Sequence, residues 1–433
     1  MHGPDNMTEH KSDRGSVATR YSYFVLGVLA LVYGFSYVDR QLVSALAEPI
    51  KMDLGLSDTQ LGLLTGTIFA LFYATFGVPA AWIADRTKRV RIIAIACGLW
   101  SLFTALCGAA HSFAQLAWAR VGVGIGEAGG LAPSLSIISD YFPPIRRGTA
   151  IAVYTLATPI GSAFAVAYGA WITAEFGWRA AFISLGIPGV VLALLLPFLV
   201  REPKRGRHDV MTVGSPVSLL STLKLFAKTK RLLMTVIGSG FSGIVQYVLL
   251  AWTPAFLMRV RGMTLPELGT YYSTCVGISV ACGSLLSGIV LDRLLKKTPR
   301  AYGLIPSITV LVAIPFYVGA LLSPSWQLAL PLFAATQFLT VAFQAPAVAA
   351  IQNFVPASQR STASAVFLMC INLAALGLGP MFVGAVSDLA RPHFGAQSLK
   401  IALLAVVPIF LLAFIFNYLS SQAMKDHREE VTA

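Results

Sequence analysis

An arginine and a glutamate lie deep inside a long apolar stretch, residues 118–147, of this 433-residue chain. Arg120 and Glu127 are seven residues apart and therefore share one face of a helix. A second charged pair, Asp39 and Arg40, interrupts the first apolar stretch. Because a charge at membrane depth costs roughly 3 kcal/mol, it is seldom kept for packing alone. These four residues predict a site for binding and proton transfer within a membrane.

The depth of each charge follows from its position along its helix. A rise of about 1.5 Å per residue places Asp39, Arg40 and Arg120 in one half of a core about 30 Å thick. Glu127 falls roughly 10 Å away, closer to the midplane. We therefore expect Asp39 to pair with Arg120, Arg40 to bind a substrate and Glu127 to carry the coupled proton. The alternative is structural, with the four charges only joining two helices.

Composition assigns the chain to the helical membrane proteins. Hydrophobic residues make up 56% and charged residues 12% of the sequence, and the mean hydropathy is +0.73. The net charge of +13 does not predict nucleic-acid binding, since the basic residues lie in short loops between apolar runs. The five cysteines are expected to be buried free thiols. We expect no cleavable signal peptide, catalytic motif, cofactor or metal.

Apolar runs of about 20 residues predict twelve transmembrane helices in two pseudo-symmetric six-helix bundles. The predicted organisation is a cytoplasmic tail (1–22), an N-terminal bundle (23–200), a basic cytoplasmic linker (201–230), a C-terminal bundle (231–420) and a second cytoplasmic tail (421–433). Ser215 and Pro216 predict a short interfacial helix in the linker, with a flexible tether as the alternative. The predicted spans are 23–47, 59–84, 91–110, 113–140, 147–173, 178–200, 231–258, 267–292, 301–322, 327–352, 359–388 and 398–420.

The distribution of lysine and arginine predicts the orientation. The loops that share a side with the termini hold most of them. The other side holds few, namely Lys51, Arg179, Arg259, Arg261, Arg391 and Lys400. Both termini are therefore expected in the cytoplasm, and a bacterial inner membrane is the expected location.

An internal repeat supports the division into two halves. Ala132-Pro133 matches Ala345-Pro346, and Asp85-Arg86 at the end of the second helix matches Asp292-Arg293 at the end of the eighth. Two related halves predict a secondary transporter whose site lies between them near the midplane. A channel, or a membrane sensor on the same scaffold, is less consistent with this pattern.

Two further motifs carry a resemblance to the major facilitator superfamily. The loop AWIADRTKRVR resembles its cytoplasmic gate signature, and Arg120 followed by Gly122, Gly124 and Gly126 resembles its proton-coupling motif. The resemblance implies the major facilitator fold. It also implies a cytoplasmic gate formed by Asp85, Arg86, Arg146, Arg147, Asp292 and Arg293. Plain positive-inside topology is the alternative explanation of the basic residues.

A narrower resemblance is to the spinster family. Tyr37-Val-Asp39-Arg40 occurs together with Gly124-Ile-Gly126-Glu127-Ala128, and Pro133 and Asp140 extend the match. This resemblance implies alternating-access transport of a lipid-like amphiphile of the sphingolipid or lysolipid type, coupled to protons through Glu127, Asp39 and Arg120. A small organic anion is the alternative substrate, because related anion-transporting branches share the first-helix Asp-Arg pair.

The C-terminal half has polar residues but no charge at comparable depth. A cavity charged on one wall and polar-aromatic on the other suits an amphipathic substrate. The predicted substrate-binding residues are Arg40, Arg120, Gln246, Tyr247, Gln344 and Asn372, with Phe343 and Phe367 as possible apolar lining. The expected partners are the substrate, protons and the lipid bilayer, and the chain is expected to be a monomer.

Overall fold

The computed structural model describes the backbone of residues 19–206, 219–355 and 360–432. These residues form helices joined by short connections, which confirms the all-α prediction. Eleven stretches are long and apolar enough to cross a membrane, and the last of them, Thr362–Met424, has 63 residues. That is roughly three times the length that spans a bilayer. The stretch turns at Gly395, whose φ of 52° is left-handed, so it accommodates two crossings and brings the total to the predicted twelve.

The first six crossings begin and end within a few residues of the predicted spans. Several are interrupted, because the backbone changes its hydrogen-bonding pattern inside the span. Their helices are α1 (Arg20–Ala45), α2 (Ala47–Leu54), α3 (Asp58–Gly62), α4 (Ile68–Arg86), α5 (Arg89–Cys107), α6 (Phe113–Glu127), α7 (Leu131–Tyr141), α8 (Pro144–Thr155), α9 (Ala157–Phe176) and α10 (Trp178–Leu199).

The second set of six follows one short connecting helix. That helix and the remaining crossings are α11 (Leu219–Lys228), α12 (Lys230–Arg259), α13 (Leu265–Glu267), α14 (Ser273–Leu295), α15 (Ala301–Leu322), α16 (Trp326–Thr340), α17 (Gln344–Phe354), α18 (Arg360–Phe394), α19 (Ser398–Leu404) and α20 (Val407–Thr432).

Interruptions recur at related places in the two halves. The fourth crossing breaks between Glu127 and Leu131, and the tenth changes to a 3-10 turn at Val341–Phe343. These breaks coincide when Ala132 is aligned with Ala345. The second and eighth crossings each contain a π-helical segment, at Leu63–Thr67 and Leu268–Tyr272. Such interruptions often mark functional sites in helices.

The linker helix is present at α11. Thr222 and Phe226 are buried, and Phe226 packs with Val355 and Phe367 of the C-terminal half. Its location at a membrane surface stays a prediction, and Ser215 and Pro216 lie outside the described residues.

Large apolar side chains cover much of the outer surface. Trp82 and Phe198 are 57% and 85% exposed, as expected for residues that face lipid rather than water. The prediction that all five cysteines are buried is wrong for three of them, since Cys275 and Cys370 are half-buried and Cys282 is exposed. Cys282 lies on an outward face of α14, whereas Cys97 and Cys107 are buried.

Candidate functional site

Glu127 forms the centre of the charged site. Its side chain is buried, and the Oε2 atom accepts hydrogen bonds from Arg40 Nε at 2.6 Å and Ser36 Oγ at 2.7 Å. Ser36 and Arg40 are one helical turn apart on α1, so both reach the same carboxylate oxygen. The first and fourth crossings are therefore joined by a buried ion pair at Glu127.

Aromatic rings surround the arginine of this pair. The Arg40 guanidinium carbon lies 5.1 Å from the ring centroid of Tyr37, 4.7 Å from Phe69 and 4.8 Å from Tyr73. Rings at these distances attract a cation through their quadrupoles. Because only Nε contacts Glu127, the terminal guanidinium nitrogens keep the capacity to donate to a bound anion.

The predicted pairing of Asp39 with Arg120 is wrong. Arg120 donates from Nε to the carbonyl of Leu64 at 3.3 Å and lies over Phe69, whereas Asp39 is buried beside Thr104. Arg40, expected to be free for substrate, instead pairs with Glu127. Consecutive residues on an α-helix point about 100° apart, so Asp39 and Arg40 face different neighbours, and only Arg40 faces Glu127.

Glycines allow close helix packing where the helix breaks at Glu127. A Cβ atom on Gly126 would lie 2.6 Å from the backbone nitrogen of Trp100, and one on Gly129 would lie 3.0 Å from the Cβ of Ala96. Glycine at these positions lets α5 approach α6 closely. The turn that follows Glu127 is closed by the bond from Gly130 N–H to the Glu127 carbonyl at 3.0 Å.

The predicted polar wall of the C-terminal half is present as two side-chain pairs. Gln344 Nε2 donates to Gln246 Oε1 at 3.0 Å, and Tyr247 Oη donates to Asn372 Oδ1 at 3.5 Å. Phe343 and Phe367 are buried in the core cluster against which Tyr247 packs, so their suggested role as apolar lining stays a prediction. Of the four residues in the two polar pairs, Tyr247 lies close enough to Arg40 to interact with it electrostatically.

The predicted cytoplasmic gate residues do not form their expected cluster. Asp85 is exposed, Arg146 contacts the Tyr23 hydroxyl at 3.3 Å, and Arg147 donates to the Ser139 carbonyl at 2.9 Å. The predicted bonds between Asp85 and these arginines are therefore not seen. Arg86 donates to its own helix at the Trp82 carbonyl, and Asp292 and Arg293 are exposed.

A different ion-pair cluster joins the helix ends near this loop. Arg89 binds Asp140 at 2.5 Å and Glu202 at 2.8 Å, and Arg205 donates to backbone carbonyls around Asp85. The cluster joins helices of the N-terminal bundle to the first residues of the linker. It therefore fixes that bundle internally and leaves Asp85 at the surface.

The two halves are joined by a set of charged residues that the sequence did not predict. Arg259 of α12 binds Glu48 at 2.5 Å and Asp58 at 2.7 Å. Asp58 also accepts bonds from Lys51 and from the Ser387 hydroxyl. We refer to the end of the molecule that carries this cluster as the closed end. The distribution of lysine and arginine had already placed Lys51 and Arg259 on the same side of the membrane. That placement was the sequence signal from which this cluster could have been found.

Close helix packing accompanies the ion pairs at the closed end. Asp388 of α18 accepts the backbone N–H of Asp58 at 3.0 Å and of Thr59 at 2.8 Å, which caps the start of α3. Deeper in the structure, Thr67 Oγ1 donates to the Gly377 carbonyl at 2.5 Å. The hydrogen bonds described between the halves all lie on this side of the molecule.

Comparisons with known proteins agree with this architecture. The sequence profile of the Major Facilitator Superfamily matches residues 29–376. The chain belongs to this superfamily. An MFS-type efflux pump of Mycolicibacterium smegmatis is 37% identical over 429 residues, which are 98% of this chain and 97% of the relative. A hexuronate transporter of Bacillus subtilis is 26% identical over 403 residues, covering 90% of this chain and 93% of the relative.

A solved structure gives a close match to this member of the superfamily. The crystal structure of a bacterial homologue of the human lysosomal transporter Spinster, in an inward-facing and unoccupied conformation, has a TM-score of 0.86. It is 30% identical, and the match covers 95% of this chain and 99% of that one. The predicted superfamily membership, the resemblance to spinster and the fold are thus confirmed, and the chain is a multi-pass integral membrane protein.

Proposed function

We propose that this major facilitator protein is a proton-coupled secondary transporter working by alternating access. The observation that carries the proposal is the buried Glu127, bound through one carboxylate oxygen to Arg40 at a break in its helix. A carboxylate held in this way can exchange its arginine partner for a proton when the helices move. Asp39 and Arg120 remain in the proposed coupling site as buried neighbours of Glu127.

We also propose an orientation and a conformational state. Basic residues are concentrated on the side of the termini, so that side is assigned to the cytoplasm of a bacterial cell, and the closed end to the exterior. Hydrogen bonds and ion pairs between the halves at the closed end then correspond to an inward-facing conformation. The inward-facing state of the matched spinster homologue supports this assignment. The working unit is proposed to be a monomer of two six-helix halves.

The cytoplasmic gate is proposed to form in the opposite state. Asp85 and Asp292 are exposed in this conformation, and both lie beside basic residues at the ends of their helices. When the cytoplasmic ends approach each other, these carboxylates can bind Arg146, Arg147 or the facing helix terminus.

The proposed substrate is an amphipathic molecule with an anionic group. The terminal nitrogens of Arg40 offer a binding point for the anion. Tyr37, Tyr73 and Tyr247 supply rings, and Gln246 and Gln344 supply amides, for a larger and less polar body. Lysophospholipids and phosphorylated sphingoid compounds have this chemistry, and the efflux pump with which the chain shares 37% identity supports export rather than uptake.

A small organic anion is the second candidate. The similarity to a hexuronate transporter favours it, and the same Arg40 would bind the carboxylate. The two candidates differ in how much binding free energy the aromatic rings can supply. A lysolipid buries an apolar chain against them, whereas a sugar acid has little apolar surface to bury.

Flux into proteoliposomes tests the proposal. Purified protein is reconstituted, a pH gradient is imposed, and accumulation of a radiolabelled lysophospholipid and of galacturonate is compared with protein-free vesicles. We expect saturable, gradient-dependent accumulation of the lysophospholipid. Accumulation of galacturonate alone would select the second candidate, and absence of gradient dependence for both probes would contradict proton coupling.

A further inference from the structure

Trp100 lies next to Glu127 with an unused hydrogen-bond donor. Its side chain is 1% exposed, and among the described residues its Nε1 has no hydrogen-bond partner. The Glu127 Oε1 atom is also buried without a hydrogen-bond partner among the described residues, although Oε2 of that carboxylate accepts two bonds. Buried polar groups are normally paired, so two unpaired groups at one site require an explanation.

Both residues line one small cavity. Its wall also includes Ser134 of α7 and Tyr154 of α8, and Arg40 closes one side. The cavity is large enough for about one water molecule, and it is polar enough to hold one. A single hydroxyl oxygen can accept a bond from the indole N–H and donate one to the carboxylate oxygen.

The glycines after Arg120 place Trp100 at this cavity. Gly126 lets the Trp100 backbone come close to α6, and a Cβ on Gly130 would lie 3.4 Å from the Cζ3 atom of the indole ring. A side chain at Gly126 would push α5 away from Glu127, whereas a methyl group at Gly130 would make an ordinary van der Waals contact with the indole ring. The run of small residues around Glu127 therefore serves to seat the indole beside the carboxylate.

We propose that Trp100 Nε1 and Glu127 Oε1 form a binding site for one hydroxyl group, supplied by a water molecule or by a hydroxyl of the substrate. The inference rests on the proposed function, because it assigns the site a role in the proton step at Glu127. The bound hydroxyl donates to the ionised carboxylate and stabilises it. Trp100 is thus a positioning residue, which acts on Glu127 through this hydroxyl.

Other charged and titratable groups around Glu127 also influence its proton exchange. They come from the first, second, fourth, fifth and seventh crossings, and they remain in place when Trp100 is replaced. These charged or titratable residues are Tyr33, Tyr37, Asp39, Arg40, Tyr73, Arg120, Tyr154 and Tyr247.

Ultraviolet resonance Raman spectroscopy detects the hydroxyl directly. The indole band that reports N–H hydrogen bonding is isolated for Trp100 by subtracting the spectrum of Trp100→Phe from that of the wild type. We expect a hydrogen-bonded indole in substrate-free protein, which assigns the site to water. A bond that forms only after addition of the lysophospholipid assigns it to a substrate hydroxyl. A free indole N–H in both samples overturns the proposal.

The pH dependence of flux tests the role in the proton step. Trp100→Phe keeps the ring and removes the N–H, so we expect the pH of half-maximal flux to rise by about half to one unit. Gly126→Ala, which displaces the backbone of Trp100, should shift it in the same direction. Trp82→Phe, at a site 57% exposed on the outer surface, is the matched control and should leave the profile unchanged.

The outcomes separate this inference from the proposed function. An unshifted pH profile in folded Trp100→Phe and Gly126→Ala overturns the role of Trp100, even when Glu127→Gln abolishes gradient-driven transport. If Glu127→Gln keeps gradient-driven transport, the proposed proton site fails, whereas the Raman result still decides whether the hydroxyl site exists.

Discussion

The ion pair between Arg40 and Glu127 links stability to transport at the level of single residues. Both side chains are largely buried, and the bond joins two helices that must move relative to other parts of the protein. Removal of one partner leaves a buried charge without compensation. Removal of both leaves a neutral site.

This difference gives a prediction for stability. Arg40→Met should cost about 3–5 kcal/mol, because Glu127 keeps its charge in a buried site, and the double variant Arg40→Met with Glu127→Gln should recover most of the loss. Thermal unfolding of the purified variants in detergent measures the effect. Arg86→Met, at an exposed arginine, is the control. Equal losses in the single and double variants would show that the pair is not coupled.

The same pair shows what the sequence could and could not predict about the site. Four charges inside apolar stretches were enough to locate it, because such charges are costly in a membrane. Which charges pair was not predictable, since Asp39 and Arg40 are adjacent and the rotation of α1 decides which of them faces Glu127. Trp100 was missed because a tryptophan in an apolar helix is indistinguishable from ordinary packing until its neighbours are known.

At the level of elements, a glycine in the π-helical segment of the second crossing controls the approach of the two halves. A Cβ atom on Gly66 would lie 2.2 Å from the carbonyl oxygen of Leu376 in α18. By contrast, a Cβ on Gly77, further along the same crossing, has no atom within 4 Å.

We predict that Gly66→Ala weakens the closed end, whereas Gly77→Ala does not. The added methyl group must displace the backbone of α18, so conformations in which the halves separate at this end gain population. Spin labels at Met52 and Phe394, which are 81% and 51% exposed, report the separation by double electron–electron resonance. An identical distance distribution in the two alanine variants would contradict the prediction.

Helix positions were predictable to within a few residues, because twelve apolar runs separated by polar connections determine them. The interruptions inside the spans could not be predicted from the sequence. The break after Glu127 and the two π-helical segments depend on close contacts with other helices, which periodicity along one chain does not record.

At the scale of the whole molecule, one arginine forms two of the ion pairs that join the two halves. Arg259 belongs to the C-terminal half, and both of its carboxylate partners, Glu48 and Asp58, belong to the N-terminal half. Arg261 is close in sequence, but it donates to the Leu321 carbonyl of its own half.

Arg259→Ala should therefore open the closed end, and Arg261→Ala should not. Loss of one partner of a buried ion pair costs about 3–5 kcal/mol. A cost of this size is enough to shift the equilibrium from the conformation in which this end is closed to the one in which it is open. The Met52 and Phe394 labels should report a longer distance in Arg259→Ala. If both variants keep the distance of the wild type, the ion-pair cluster does not hold the halves together.

The most direct test of proton-coupled transport is Glu127→Gln in proteoliposomes under an imposed pH gradient, with the lysophospholipid as probe. Glutamine keeps the size of the side chain and cannot release a proton at this pH. The variant should lose gradient-driven accumulation and retain downhill flux, while Glu175→Gln, outside the site, behaves as the wild type. Accumulation by Glu127→Gln with an unchanged dependence on the gradient would contradict the assignment of the proton to Glu127.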